Sequence, residues 1–125
     1  MRLGLTFDTG ALISLERRQQ RIGRVYRAAL TDGVPVTVPA VIVAEWWRGR
    51  SDAREIILRG VRIEPTTDAL ARRAGEALAA LASTNVVDAI VMASAATRGD
   101  IVYTSDFGDL QQLQTYFPTV TVLAI

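Results

Sequence analysis

The sequence predicts an α/β fold around a mostly parallel sheet. Two observations carry that expectation. Short strand-like runs alternate with stretches of helical periodicity along the whole chain, the signature of consecutive βα units. The 125 residues, half of them apolar, suffice for a sizeable core, and no linker, internal repeat or low-complexity segment divides them. One domain over residues 1–125 is therefore expected.

Residues 2–7 read as a buried strand through Leu3, Leu5 and Phe7, and 11–17 as a short helix burying Ala11, Leu12 and Leu15. In 21–33, Ile22, Val25, Tyr26, Ala29 and Leu30 follow the i, i+3, i+4, i+7, i+8 spacing of a helix face, and Gly33 supplies the stop. "VPVTVP", 34–39, reads as a short strand with proline at each edge. "AVIVAEWWRGR", 40–50, is too long for one more buried strand, and Pro39 suits a first helical turn, so a helix is expected. Ser51 or Asp52 caps a further short helix over 53–59. "VRIEP", 61–65, is a strand closed by proline. A threonine cap opens a helix over 66–81 with Leu70, Ala74, Leu78 and Leu81 on one side. Residues 86–99 form a helix that is apolar nearly all round, which predicts burial, and Gly99 stops it. A strand at 101–105, a helix start at 106–113 and a strand at 120–125 complete the order.

Composition removes many chemistries. The chain has no histidine, cysteine or lysine, and its fourteen basic residues are all arginine. Ser-His-Asp and Cys-His catalysis, the usual zinc sites and a disulfide framework are excluded. So are Schiff-base chemistry and the Walker lysine. Carboxylate, hydroxyl, amide and guanidinium groups remain, an inventory that suits hard cations such as Mg²⁺ or Mn²⁺. With a formal net charge of +1, affinity for nucleic acid can reside only in a local patch. The mean hydropathy of +0.22 is high for a small chain and points to apolar surface covered by a partner or a second copy. No apolar run reaches the roughly 18 residues of a membrane span, and the first residues enter a strand pattern with no signal-type segment. No membrane and a cytoplasmic address are expected.

In an open parallel sheet, ligands bind beyond the carboxyl ends of the strands, near a topological switch point. Asp8 ends the first strand, and Asp106 follows "IVYTS" at the end of another. Glu45 and Asp88 are each the only charge in an apolar window, "VIVAEWW" and "NVVDAIVMA". An unpaired acid buried in such a helix costs several kcal/mol. Four such acids in separate segments suggest convergence, which is repulsive unless divalent cations sit among them. Each also has a structural reading. Asp8 and Asp106 fit as helix N-caps, Glu45 as a surface residue or a partner of Arg48 or Arg50, and Asp88 as a cap near the start of its helix. Asp109, one helical turn after Asp106, is a fifth candidate or ordinary surface. Asp32, Asp52, Asp68 and Asp100 sit in turn or cap contexts.

The set "FDTGALI", "VIVAEWWRG", "NVVDAIVMASAA" and "VYTSDFGDL", in this order, resembles the PIN domain, and within it the VapC-type toxins of bacterial toxin–antitoxin pairs. The resemblance runs over essentially the whole chain. It implies a parallel five-stranded sheet with helices on both faces, in agreement with the pattern above. It further implies that acids matching Asp8, Glu45, Asp88 and Asp106, with Asp109 sometimes added, gather Mg²⁺ or Mn²⁺ for RNA cleavage. Thr104 matches a hydroxyl beside the site. Gly10 departs from the Ser or Asn common in relatives, which touches the fine positioning of Asp8. A cognate VapB-like antitoxin and a homodimer are also implied.

For that chemistry Asp8 and Asp106 are expected as direct ligands, Asp88 as direct or water-mediated, and Glu45 as a water-mediated ligand or base. Arg48, Arg50 and Arg17 are candidates to hold an RNA backbone at the rim. Of Trp46 and Trp47, one is expected in the core and the other against a partner; stacking on an unpaired base is the alternative. "DTG" at 8–10 is also the aspartic-protease tripeptide, but the alanine-rich helices contradict a mostly β enzyme. A receiver-type phosphoacceptor needs a lysine, and a haloacid-dehalogenase phosphatase needs an acid where Gly10 stands. The remaining rival is a non-catalytic PIN-like binding module.

Overall fold

The structure, a computed structural model, describes residues 3–82 and 85–125. Met1, Arg2, Ser83 and Thr84 lie outside the described residues, and with Arg2 the start of the expected 2–7 strand. The elements are β1 (Leu5–Phe7), α1 (Thr9–Glu16), α2 (Gln20–Asp32), β2 (Val36–Pro39), α3 (Ala40–Trp46) and α4 (Asp52–Arg59). They continue with β3 (Arg62–Glu64), α5 (Asp68–Leu81), α6 (Val86–Arg98), β4 (Ile101–Thr104), α7 (Phe107–Gln114) and β5 (Thr121–Ala124). The five strands pair in parallel in the order β3-β2-β1-β4-β5.

This order follows from the connections. From β1 the chain steps outward through β2 to β3, then α5 and α6 carry it back across the sheet to β4, on the other flank of β1. With right-handed crossovers, α1–α4 cover one face and α5–α7 the other. Accordingly α1 packs against α2, α3 and α4, while α5, α6 and α7 pack on one another. Alternation along β1 serves both faces. Phe7 meets Tyr26 of α2, ring centroids 6.4 Å apart, whereas the Thr6 hydroxyl bonds to Asp100 and Arg98 below α6. As its composition predicts, α6 is buried from Asp88 through Ala95. Phe7, Leu12, Ile22, Ile42, Met92 and Leu110 anchor the core, and burying each such side chain fully contributes about 1.5–3 kcal/mol.

The helix expected over 40–50 stops early. After Trp46 the backbone is extended at Trp47 (φ −67°, ψ 126°), Gly49 takes φ +102°, and the Ser51 hydroxyl caps α4 by accepting the Arg54 N–H at 3.2 Å. Glu16, at the end of α1, holds both sides of this loop. It accepts the Trp46 Nε1–H at 3.0 Å and pairs with Arg54 Nη2 at 2.9 Å. Arg48 and Arg50 therefore sit on a pinned loop, not on a helix.

Asp100 does more than occupy a turn. It is 2% exposed and accepts from Thr6 Oγ1 (2.8 Å) and Arg98 Nε (2.9 Å), while Arg98 Nη1 reaches Glu64 Oε2 at 2.6 Å. This network ties α6 to β1, β3 and β4. Among the described residues, no single helix is long and apolar enough to cross a membrane.

Candidate active site

β1 and β4 are neighbours whose onward connections leave on opposite faces, so the gap beyond their carboxyl ends is the switch point of the sheet. Asp8, Glu45, Asp88 and Asp106 line one cavity there, of about 80 Å³, together with Thr9 and Asn85. Among the described residues, no basic one lines it. That volume is far below the roughly 300–1,000 Å³ that encloses a drug-sized organic ligand. It suits a small hydrated ion, and any larger substrate must lie across its mouth. The hollow of about 300 Å³ between the end of β3 and α5 carries one acid, Glu64.

Asp8 combines both of its sequence readings. It is the N-cap of α1, its Oδ1 accepting the Ala11 N–H at 2.9 Å, and it is buried beside the other acids. Its Oδ2 accepts the Thr104 hydroxyl. Thr104 Oγ1 in turn accepts the Asp106 N–H at 2.8 Å. With that lone pair engaged, the hydroxyl directs its one proton to Asp8, so Asp8 is held as an acceptor. Burial raises its pKa; the bonds from Thr104 and Ala11 oppose this, and the charge of Asp106 adds to it.

Asp88 stands in the first turn of α6, and its N–H donates to the capping Asn85 Oδ1 at 2.9 Å. Asn85 therefore has the capping role considered for Asp88. The Asp88 carboxyl is free of that duty, and its buried Oδ2 has no hydrogen-bond partner among the described residues. Burial, then the charges of Asp106, Asp109, Asp8 and Glu45, push its pKa up to about 6. Asp106 occupies the N-cap position of α7 but makes no side-chain cap bond, which leaves its carboxylate to the cavity. Asp109 is exposed in the first turn of α7, outside the cavity lining, and its charge still reaches Asp88.

Glu45 follows its surface reading while still lining the cavity. It is exposed, and its Oε1 accepts the Thr9 hydroxyl rather than a guanidinium of Arg48 or Arg50. Trp46 is buried and Trp47 half-buried, their rings edge-to-face at 6.2 Å. Arg48 lies in the neighbouring hollow with Arg17.

Among the described residues, no three acidic side chains already stand close enough to grip one ion. Both Asp8 oxygens and one Glu45 oxygen are engaged by hydroxyl or amide donors. The donor chemistry nevertheless fits a hard divalent cation. The cavity offers carboxylate oxygens, no competing cation, and one buried carboxylate oxygen with nothing to accept.

The PIN domain family profile matches residues 5–113. The chain belongs to the PIN domain family. No curated protein matches the sequence. Among solved structures, VapBC2 of Rickettsia felis bound to a promoter DNA fragment is similar at a TM-score of 0.74 and 10% identity, covering 98% of this chain and 99% of that one. DNA-bound VapBC from Salmonella typhimurium gives a TM-score of 0.69 and 17% identity over 98% of both chains. FitAcB from Neisseria gonorrhoeae gives 0.64 and 21%, over 95% of this chain and 96% of that one. At these identities the likeness is one of fold.

On this PIN fold, sequence reasoning overlooked three residues that shape the cavity and its surroundings. Asn85 could have been found, since "NVVD" places a capping residue three before an acid. Thr9, which steadies Glu45, and Glu16, which clasps Trp46 and Arg54, act across 36, 30 and 38 positions of sequence, and no local pattern marks them.

Proposed function

We propose that this chain is a divalent-metal-dependent endoribonuclease, the toxin of a type II toxin–antitoxin pair. The observation that carries the reading is the cavity at the switch point, with four carboxylates, no cation and an unpartnered buried oxygen on Asp88. Asp8, Asp88 and Asp106 would hold Mg²⁺ or Mn²⁺, with Asp109 at the margin. When bound, the ion supplies a Lewis acid that polarises the phosphate and makes water a better nucleophile.

The chain's own groups have distinct tasks. Thr104 fixes Asp8 in its accepting orientation and ties the start of α7 to it. Glu45 has Oε1 held by Thr9, which leaves Oε2 to take a proton from the attacking water. The small cavity keeps the nucleotide outside, so that one phosphate faces the acids. Arg48 meets the RNA backbone beside it. Family membership and the overall likeness to VapBC and FitAcB chains support the toxin role, with a VapB-like antitoxin as partner, a homodimer as the assembly and the cytoplasm as the site of action.

The test is cleavage of RNA by purified, antitoxin-free protein. Mg²⁺-dependent cleavage is expected, with a loss of at least about a hundredfold in Asp8→Asn, which removes a charged ligand of the ion. If metal-supplied wild-type protein cuts no RNA of any class, the chain is a PIN-fold binding module instead.

A further inference from the structure

We infer that the hollow beside the acid cavity seats a second phosphate of the RNA strand, gripped by Arg17 and Arg48; this rests on the nuclease reading above. The hollow measures about 420 Å³, and Glu45 lines both it and the acid cavity. Its walls carry three guanidinium groups, those of Arg17, Arg48 and Arg54, and two carboxylates, those of Glu16 and Glu45.

The charges are not equally available. Glu16 holds Arg54 at 2.9 Å and Trp46 Nε1 at 3.0 Å, and Arg54 Nη1 also donates to the Gly49 carbonyl at 2.9 Å. This trio forms a fixed floor with its charge cancelled. Among the described residues, Arg48 bonds only to the carbonyls of Ala44 and Trp47, which leaves its charge without a carboxylate partner. Arg17 is exposed, its backbone N–H donates to Ile13, and its side chain has no hydrogen-bond or ion-pair partner among the described residues. Two free cations thus stand next to a pocket whose acids would otherwise repel a polyanion.

The buried side-chain atoms without a hydrogen-bond partner among the described residues are Arg54 Nε and Asp88 Oδ2, one from the lining of each hollow. The two adjoining hollows differ in charge: among the described residues the first is lined by acids without a basic residue, and the second holds two guanidinium groups without a carboxylate partner. An RNA strand fits this pairing better than an acidic peptide does. A strand with one phosphate at the acids continues across Glu45, and its next phosphate brings the opposite charge to Arg17 and Arg48. Guanidinium groups match phosphate oxygens in pairs, and the hollow has the volume for a nucleotide-sized group.

The experiment measures two things on one single-stranded RNA oligonucleotide: steady-state cleavage with Mg²⁺, and binding in EDTA as a function of KCl. Arg17→Ala/Arg48→Ala is expected to raise KM by roughly tenfold, far more than it lowers kcat, and to flatten the log–log salt slope of binding by about 0.7 per arginine removed. Arg17→Lys/Arg48→Lys keeps the slope, which separates charge from misfolding, and Arg72→Ala on α5 changes neither quantity. If the wild type cleaves while the double alanine variant keeps its KM and salt slope, the proposal is overturned. It is also overturned if the variant loses binding to a poly-glutamate peptide and not to RNA. If the wild type cleaves nothing but the variant still loses RNA binding and slope, the nuclease reading fails and the phosphate seat stands.

Discussion

At Asp88, burial and charge act in the same direction. Its carboxyl is buried near four other acids, and its pKa rises from 3.8 to about 6. Between those values the folded chain keeps a proton that the unfolded chain has released, so stability falls as pH rises through that window. Above about pH 6 the destabilisation is complete. A shift of this size corresponds to roughly 2–3 kcal/mol at neutral pH. In EDTA, the melting temperature of the wild type is therefore expected to drop from pH 4.5 to 6.5, and Asp88→Asn to be the more stable protein at pH 7.5. A flat wild-type profile together with a destabilised Asp88→Asn would contradict this account. The same proton competes with a cation, so Mn²⁺ uptake should weaken below about pH 6.

The junctions between elements account for the departure at Gly10. A Cβ on residue 10 would stand 1.9 Å from Ser105 Oγ and 2.5 Å from Ser105 Cβ, so the start of α1 and the end of β4 meet too closely for any side chain there. Gly10→Ser is expected to cost about 1–3 kcal/mol, as overpacking does. Most of that should return in Gly10→Ser/Ser105→Gly, which removes the two nearest atoms; urea denaturation of the three proteins checks it. On the opposite face of β1, Arg98→Met would leave buried Asp100 without its guanidinium, at a cost of about 3–5 kcal/mol by the same assay. Elements with local signals were legible in the sequence. The periodicity of α2 and α5, the Thr67 cap and the stops at Gly33 and Gly99 depend on neighbouring residues alone. The end of α3 was not, because Trp47 and Arg48 are acceptable in a helix and the clasp from Glu16 comes from another element.

Across the whole molecule, the parallel order explains why the sequence alone groups the acids. Parallel strands end at one edge, so Asp8 after β1 and Asp106 after β4 had to share it. The exposure of Glu45 and the unpartnered oxygen of Asp88 depend on how α3 and α6 dock, which no local spacing encodes. A cation held by these acids would join β1, β4, α6 and α7, elements that only folding brings together. The unfolded chain has no such set, so binding adds to folding stability by mass action, about 2.7 kcal/mol at a hundred times Kd. For a chain of this length, that corresponds to a rise on the order of 10 °C in Tm. Titration with Mn²⁺ at pH 7.5 should raise the wild-type Tm progressively. The rise should disappear in Asp8→Asn and in Asp106→Asn and persist in Arg48→Ala, whose charge belongs to the neighbouring hollow. An equal rise in all four proteins would mean that Mn²⁺ binds elsewhere on the molecule.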